Sequence, residues 1–567
     1  TSTALTYAVK LGFGVWISCN FSTGFLLFNA SLIGDTEMGL VFGGEPVAPV
    51  VGLNVLAVGI LFWLFGAMRR ARPGYVEKPK TALSGRAFRF AWKSLLVLLV
   101  IVLVPLLGLW IFNRIDESST RSAERWFAPT PHTLPDAENA WLYMLGFGAA
   151  ENEDPIAFGR RRLDAYEARI TQHGPHPASA EEEALKADPL AFQSKDAKGN
   201  TVEFCDPDTT DCLSWAKTEV TALGDLERAN ALLLARYDTL LGMIRVDDLA
   251  TPSLDDTFPD TNKEANLYRS LILRDLSNPA TRANALQRMA RVIAFWRHME
   301  EPAQGLIMKA IADRTQERYL RILDALIHQS GESGLNALHE VIDVALRAPT
   351  PAQREWEPVL HREALQFGLT LDRSVFTNPI DAARYCEKDC LKQWLIAQFY
   401  TRQATRNLYA RLWDAVLVVH NGEPKDMSAA NARVSEIVES AMPLTASAKQ
   451  TLRRMAYNAT GEILTVIALP AYAEYINNQH DTEALRRMLL LKIAALKEHV
   501  SAQKMPEFLA QRGDTLSNPY TGEPFEWDTA KHEIHFDAKS KKWKVINFGV
   551  SYVAESGGAV VRVRGKK

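Results

Sequence analysis

Cysteine is scarce here, with five in 567 residues. That excludes a small disulfide-dense scaffold. No Cys-x2-Cys pair is present either, which removes the usual zinc frameworks. An excess of one charge is also missing: 64 Lys and Arg face 67 Asp and Glu, a formal net charge of −3. Nothing in that balance drives the chain towards nucleic acid, and none is expected as a partner. The phosphate loop, the glycine pattern of dinucleotide sites and Gly-x-Ser-x-Gly are all absent. No fixed repeat of the tetratricopeptide kind is found. The overall 47% hydrophobic and 23% charged shares conceal an asymmetry, because a hydrophobic or basic beginning precedes a soluble-looking remainder.

The asymmetry turns on Leu95–Phe112, LLVLLVIVLVPLLGLWIF, which carries no charge. A helix of that length covers roughly 27 Å, close to the thickness of a bilayer's hydrocarbon core. Pro105 is tolerable in a spanning helix, where neighbours take up the freed carbonyl. Residues 11–33 and 47–68 form two further apolar runs, the first containing Ser18, Asn20, Ser22, Thr23 and Asn29. Three transmembrane helices are therefore expected within a membrane region at 1–113. Arg69, Arg70, Arg72, Lys78, Lys80, Arg86, Arg89 and Lys93 between the second and third runs place that loop in the cytoplasm. The expected N-terminus is then cytoplasmic, and everything after Phe112 lies across the membrane, in the periplasm of a bacterium.

The cysteines bear on that topology. Cys205 and Cys212 bracket DPDTTD, while Cys386 and Cys390 lie in RYCEKDCLKQW. An even number in two close pairs suits an oxidising compartment. Four cysteines allow three connectivities, so pairing within or between clusters stays open. The alternative is free thiols in a cytosolic domain.

Residues 114–135 read as a polar, proline-bearing linker. An irregular all-α domain is expected over 136–505. Apolar residues recur at helical spacing over Pro155–Gln172, Ala222–Arg245, Leu306–His328, Leu335–Arg347 and Glu355–Phe367, and Pro279 opens a further helix. Longer patterns cover Cys390–Val419, Ala429–Met442, Lys449–Ile476 and Thr482–Val500, with NGEPKD and INNQHD as joints. The ending, 506–567, changes to short alternating runs and turns, a small antiparallel β segment. The fold class is thus mainly α, with N-terminal membrane helices and a β-rich tail. Within the tail, NPYTGEPFEWD resembles the Asp/Asn-Pro-x-Thr/Ser-Gly-x-Pro-hydrophobic segment that ends many exported bacterial proteins, pseudopilin-like ones among them. The resemblance covers about a dozen residues and implies export, with no specific activity. The helical part is similar to membrane-anchored periplasmic helical proteins of proteobacteria.

Motifs for chemistry are incomplete. His339-Glu340-Val341-Ile342-Asp343 ends on an acid where a zinc protease needs histidine. His173 with His176, and His532 with His535, are the closest histidine pairs, and the latter point to opposite faces if they lie on a strand. Ser214 and Lys217 satisfy Ser-x-x-Lys without its companion signatures. Glu332-Ser333 resembles the Glu-Ser pair of lytic transglycosylases without the surrounding sequence. No metal or cofactor is expected. A basic, aromatic tail containing Lys541, Lys542, Trp543, Lys544, Arg562 and Arg564 is a candidate interaction patch. Together these features point to an inner-membrane scaffold or adaptor that docks envelope proteins. An envelope hydrolase acting on cell-wall or lipid-linked material, or a subunit of a transport or secretion complex, are the alternatives. A cleft gathering titratable groups with shifted pKa favours the hydrolase.

Overall fold

The computed structural model describes residues 83–173, 185, 187–301, 305–374, 398–421, 432, 470–539 and 549–552, apart from 133, 209, 253–257 and 514, together with a few positions around Asn458. The expected spans at 11–33 and 47–68, the Cys386/Cys390 pair and the candidate patch Lys541, Lys542, Trp543, Lys544, Arg562 and Arg564 lie outside the described residues. The chain divides into two units at Ile111/Phe112.

In the first unit the described part is one helix, α1 (Leu83–Phe112), 30 residues long. Its side chains Val97, Ile101 and Val104 are exposed. Among the described residues no helix is long and apolar enough to cross a membrane. Within α1 the side chains of Leu95, Leu98, Val102, Pro105 and Leu106 are outside the described set.

The second unit is mainly helical, with a small three-stranded sheet at its end. It opens with α2 (Arg121–Trp126), capped by Thr120, and continues to α3 (Ala140–Leu145), whose six side chains are all buried. Asn139 starts α3: its Oδ1 accepts from the Trp141 and Asp247 amides and its Nδ2 donates to the Asp247 carbonyl at 2.7 Å. Next comes α4 (Pro155–His173). Two glycines let these helices touch backbone to backbone, since a Cβ at Gly159 would lie 2.2 Å from the Leu142 carbonyl oxygen and one at Gly146 would lie 1.8 Å from that of Pro155.

The run expected as one helix over Ala222–Arg245 is two. After α5 (Cys212–Thr218), α6 (Val220–Ala229) and α7 (Ala231–Leu240) meet at Asn230. The buried side-chain amide of Asn230 exchanges hydrogen bonds with the Gln193 backbone, N–H at 2.8 Å and carbonyl at 2.9 Å, and its Nδ2 also donates to the Leu226 carbonyl within the helix, at the point where α6 gives way to α7. Then α8 (Asn262–Leu276), α9 (Arg282–His298) and α10 (Leu306–Ser330) bury apolar stripes against one another, followed by α11 (His339–Leu346). A single turn, α12 (Pro351–Arg354), is fixed by a capping box between Thr350 and Gln353. It leads to α13 (Glu357–Ser374), α14 (Arg402–Asn421), α15 (Pro470–Lys497) and α16 (Met505–Arg512).

INNQHD, expected as a joint, lies inside α15. Thr482 Oγ1 donates to the Asn478 carbonyl at 3.0 Å and the Tyr520 hydroxyl donates to the Asn477 carbonyl, so these two carbonyls are held without a break in the helix. The Asn518–Gly522 turn closes through Gly522 N–H to the Asn518 carbonyl, with Gly522 at φ 72°. It feeds an antiparallel sheet of β1 (Glu526–Asp528), β2 (Glu533–His535) and β3 (Gly549–Ser551), in which Ile534 faces Trp527 and Val550. Tyr552 pins the sheet to the end of α15 by donating towards the Ala495 and Val500 carbonyls.

Two cores hold this unit together. The larger gathers α3 to α11 with α15, α16 and the sheet. The smaller is aromatic and joins α2, Trp356, α13 and α14 around Trp126, Tyr409 and Trp413. The segment 114–135, expected to be a linker, helps build it. Asp116 accepts from the Gln403 and Ala404 amides at the start of α14, a carboxylate at the positive end of a helix. Asn407 holds the Thr120 amide and hydroxyl and donates to the Ser118 carbonyl at 2.9 Å. Asp414 accepts from Ser122, Arg125 and the Trp126 indole.

Candidate functional site

Lys309, Asp313 and Glu317 are four residues apart on α10 and so share one face of that helix. That face, with Ala310 and Arg314 beside it, lines a cavity of about 80 Å³ closed by Glu300, Trp356 and, from α15, Tyr475, Asn478 and Gln479. The cavity lies where the two cores meet, since α10 contributes to both and Trp356 belongs to the smaller.

Its cations are committed. The buried Lys309 ammonium donates to three carbonyls, those of Glu300 at 3.1 Å, Gln353 at 2.9 Å and Glu355 at 3.2 Å, and lies 5.0 Å from the centre of the Trp356 ring. The capping box of α12 places the Gln353 carbonyl. Burial lowers the lysine to about 8, although Glu300 pulls the other way. Arg314 donates to both oxygens of Glu317 at 2.8 Å and to Asp208. Asp208 also pairs with Arg321 at 3.0 Å.

Its acids are desolvated. Burial pushes Glu300 up to about 7, opposed by Lys309 and Arg297. Burial likewise raises Asp313 to about 7, with the neighbouring Glu300 adding to the rise and Thr482 opposing it through a hydrogen bond. Glu317 is raised to about 8 by burial against the pull of Arg314. Carboxyls that hold a proton near neutral pH both donate and accept hydrogen bonds, and they meet the pKa requirement of a general acid. On the remaining wall, the Trp356 indole donates to Gln479 Oε1 at 2.9 Å. Asn478 Oδ1 is buried with no hydrogen-bond partner among the described residues.

The residues singled out from the sequence lie elsewhere. Cys205 and Cys212 form a disulfide, and its loop carries Asp208 to Arg314. Ser214 donates to Asp211 Oδ2 at 2.6 Å as part of a helix cap, not to Lys217. Glu332 is exposed and faces His499 at 3.2 Å. His339 contacts the Asn336 carbonyl, and Asp343 pairs with Arg347 at 2.7 Å. His532 sits at φ 54°, outside the strand that holds His535. His176 is outside the described residues, as is the His173 side chain. Among the described residues no group of His, Cys, Asp and Glu is arranged to hold a metal ion. The cavity acids and amides carry no sequence motif. Their one signal is polar residues at positions where an amphipathic helix would bury apolar ones, Asp313 and Glu317 on α10 and Asn478 on α15.

No family model, curated protein or solved structure matches the chain.

Proposed function

We propose that the chain is an inner-membrane protein with a cytoplasmic N-terminus, a periplasmic helical domain, and the role of a scaffold or adaptor that docks other envelope components. What supports this is the sequence of Leu95–Phe112 within α1, whose described apolar side chains are exposed. Eighteen uncharged residues at its end match a bilayer core in length. The Cys205–Cys212 disulfide supports an oxidising compartment beyond the membrane. The basic stretch 69–93 supports the orientation.

The test is thiol labelling in cells with a permeabilised outer membrane. Cys205 and Cys212 should react with a membrane-impermeant reagent only after reduction. Labelling that waits for inner-membrane lysis, and then needs no reductant, overturns the topology. Purification in mild detergent followed by mass spectrometry tests the docking role, for which a stoichiometric partner set is the expected result.

A second proposal, an envelope hydrolase, is favoured by one observation. Glu300, Asp313 and Glu317 gather in one cavity with pKa values raised towards neutrality.

A further inference from the structure

The cavity between the two cores has a composition that selects a ligand. Anions are disfavoured, because all three ammonium protons of Lys309 go to carbonyls and Arg314 is held by Glu317 and Asp208. A free cation meets Lys309 already placed over the Trp356 ring. An apolar molecule would leave Asn478 Oδ1 buried without a partner. A neutral molecule bearing hydroxyls has none of these difficulties. Each hydroxyl both donates and accepts, which suits an unpartnered amide oxygen and a carboxyl lining one cavity. Tyr475 and Trp356 line the same cavity and add apolar surface to it.

Size narrows the choice. At about 80 Å³ the cavity is well below the ~150 Å³ that encloses benzene, so it takes the edge of a ring and not the whole of it. We infer that this cavity is a binding site for a neutral saccharide, which inserts a pair of adjacent hydroxyls between Asp313 and Asn478 while the rest of the ring stays at the mouth. The site stands on the cavity alone and does not depend on the membrane anchor or on catalysis.

Calorimetric titration of the full chain in mild detergent tests this, with methyl α-glucoside and N-acetylglucosamine as neutral probes and spermidine and inorganic phosphate as charged ones. Expected is saturable binding of at least one saccharide, at least tenfold weaker in Asn478→Ala and lost in Ala310→Trp, which fills the cavity. Asn478→Ala breaks no hydrogen bond made by Oδ1, so it serves if the tryptophan variant fails to fold. No saccharide binding, or binding equal in wild type and Asn478→Ala, overturns the inference. In that case, spermidine or phosphate binding that is lost in Ala310→Trp would mean a charged ligand uses the cavity. Silence from all four probes would remove recognition from the cavity, while the labelling and partner experiments would still decide the anchor and the docking role.

Discussion

The two cores of the second unit are built from the chain in different ways. The larger collects successive helices from Ala140 to Leu346 before α15, α16 and the sheet return to it. The smaller takes pieces from residues 123–126, 356–364 and 409–417, with Leu306 at the start of α10. Asp116 meets Gln403 across 287 residues of sequence. Local helical pattern therefore suffices to form most of the larger core, whereas the smaller exists only once distant segments have met. Closing such loops costs entropy before contact is made, so the smaller core should be the later to form and the earlier to open.

The largest expected effect follows from its central indole. Trp413 is fully buried, 6.1 Å from the Trp126 ring and 5.3 Å from that of Tyr409. Trp413→Ala should cost about 3–5 kcal/mol. Hydrogen exchange read by mass spectrometry should show α2 and α14 losing protection while α8 keeps it. If α8 opens with them, the cores are one cooperative unit and the contrast fails. Reduction of Cys205–Cys212 should act on the other side. The bond closes a short loop, seven residues apart in sequence, and its removal should cost roughly 2–3 kcal/mol. Melting with and without reductant should move the transition of the larger core and leave that of α14 in place. Asp414→Ala comes next. It removes the acceptor of Ser122 and the Trp126 indole, for about 2 kcal/mol, and should loosen α2 without opening α14.

The same contrast sets what the sequence discloses. Helices of the larger core are legible because their apolar stripes have the helical period, as in the match of Leu306–His328 to α10. The Asn518–Gly522 turn is legible because glycine at positive φ and an Asn side chain accepting from the Tyr520 amide are local chemistry. The break at Asn230 is not, since its partner is the backbone of Gln193 in a loop. Nor is the docking of 114–126, where Asp116 and Thr120 look like linker residues until α14 is beside them. The cavity is the hardest case. INNQHD read as a joint because polar residues interrupt the apolar period, yet Asn478 and Gln479 are polar there because they line a cavity within a continuous helix. A polar break that fails to end a helix is the signal, and only the far side, Asp313 and Trp356, gives it meaning.

A further effect is carried by pH and concerns the joint between the cores. Asp313 titrates near 3.8 ordinarily and at about 7 in the folded chain, because burial disfavours its charge. Below about pH 4 both states hold the proton and the group does not affect stability. Between about 4 and 7 the unfolded chain has released it while the folded chain keeps it, so stability falls as pH rises, and the loss is complete above about 7. Asparagine has no proton to lose. Asp313→Asn should therefore melt higher than wild type at pH 8, by about 5 °C, and the gap should close towards pH 5. Glu300 and Glu317 shift in the same direction, while Lys309, lowered to about 8, and His480, lowered to about 4, have the opposite sign. All four are present in both proteins, so the difference between the two melting curves reports Asp313 together with the change its charge imposes on Glu317, Lys309 and Glu300. A variant less stable than wild type at both pH values would mean that the carboxylate is charged and paired in the folded chain. The joint between the cores would then be held by an ion pair and not by a desolvated acid awaiting a hydroxyl.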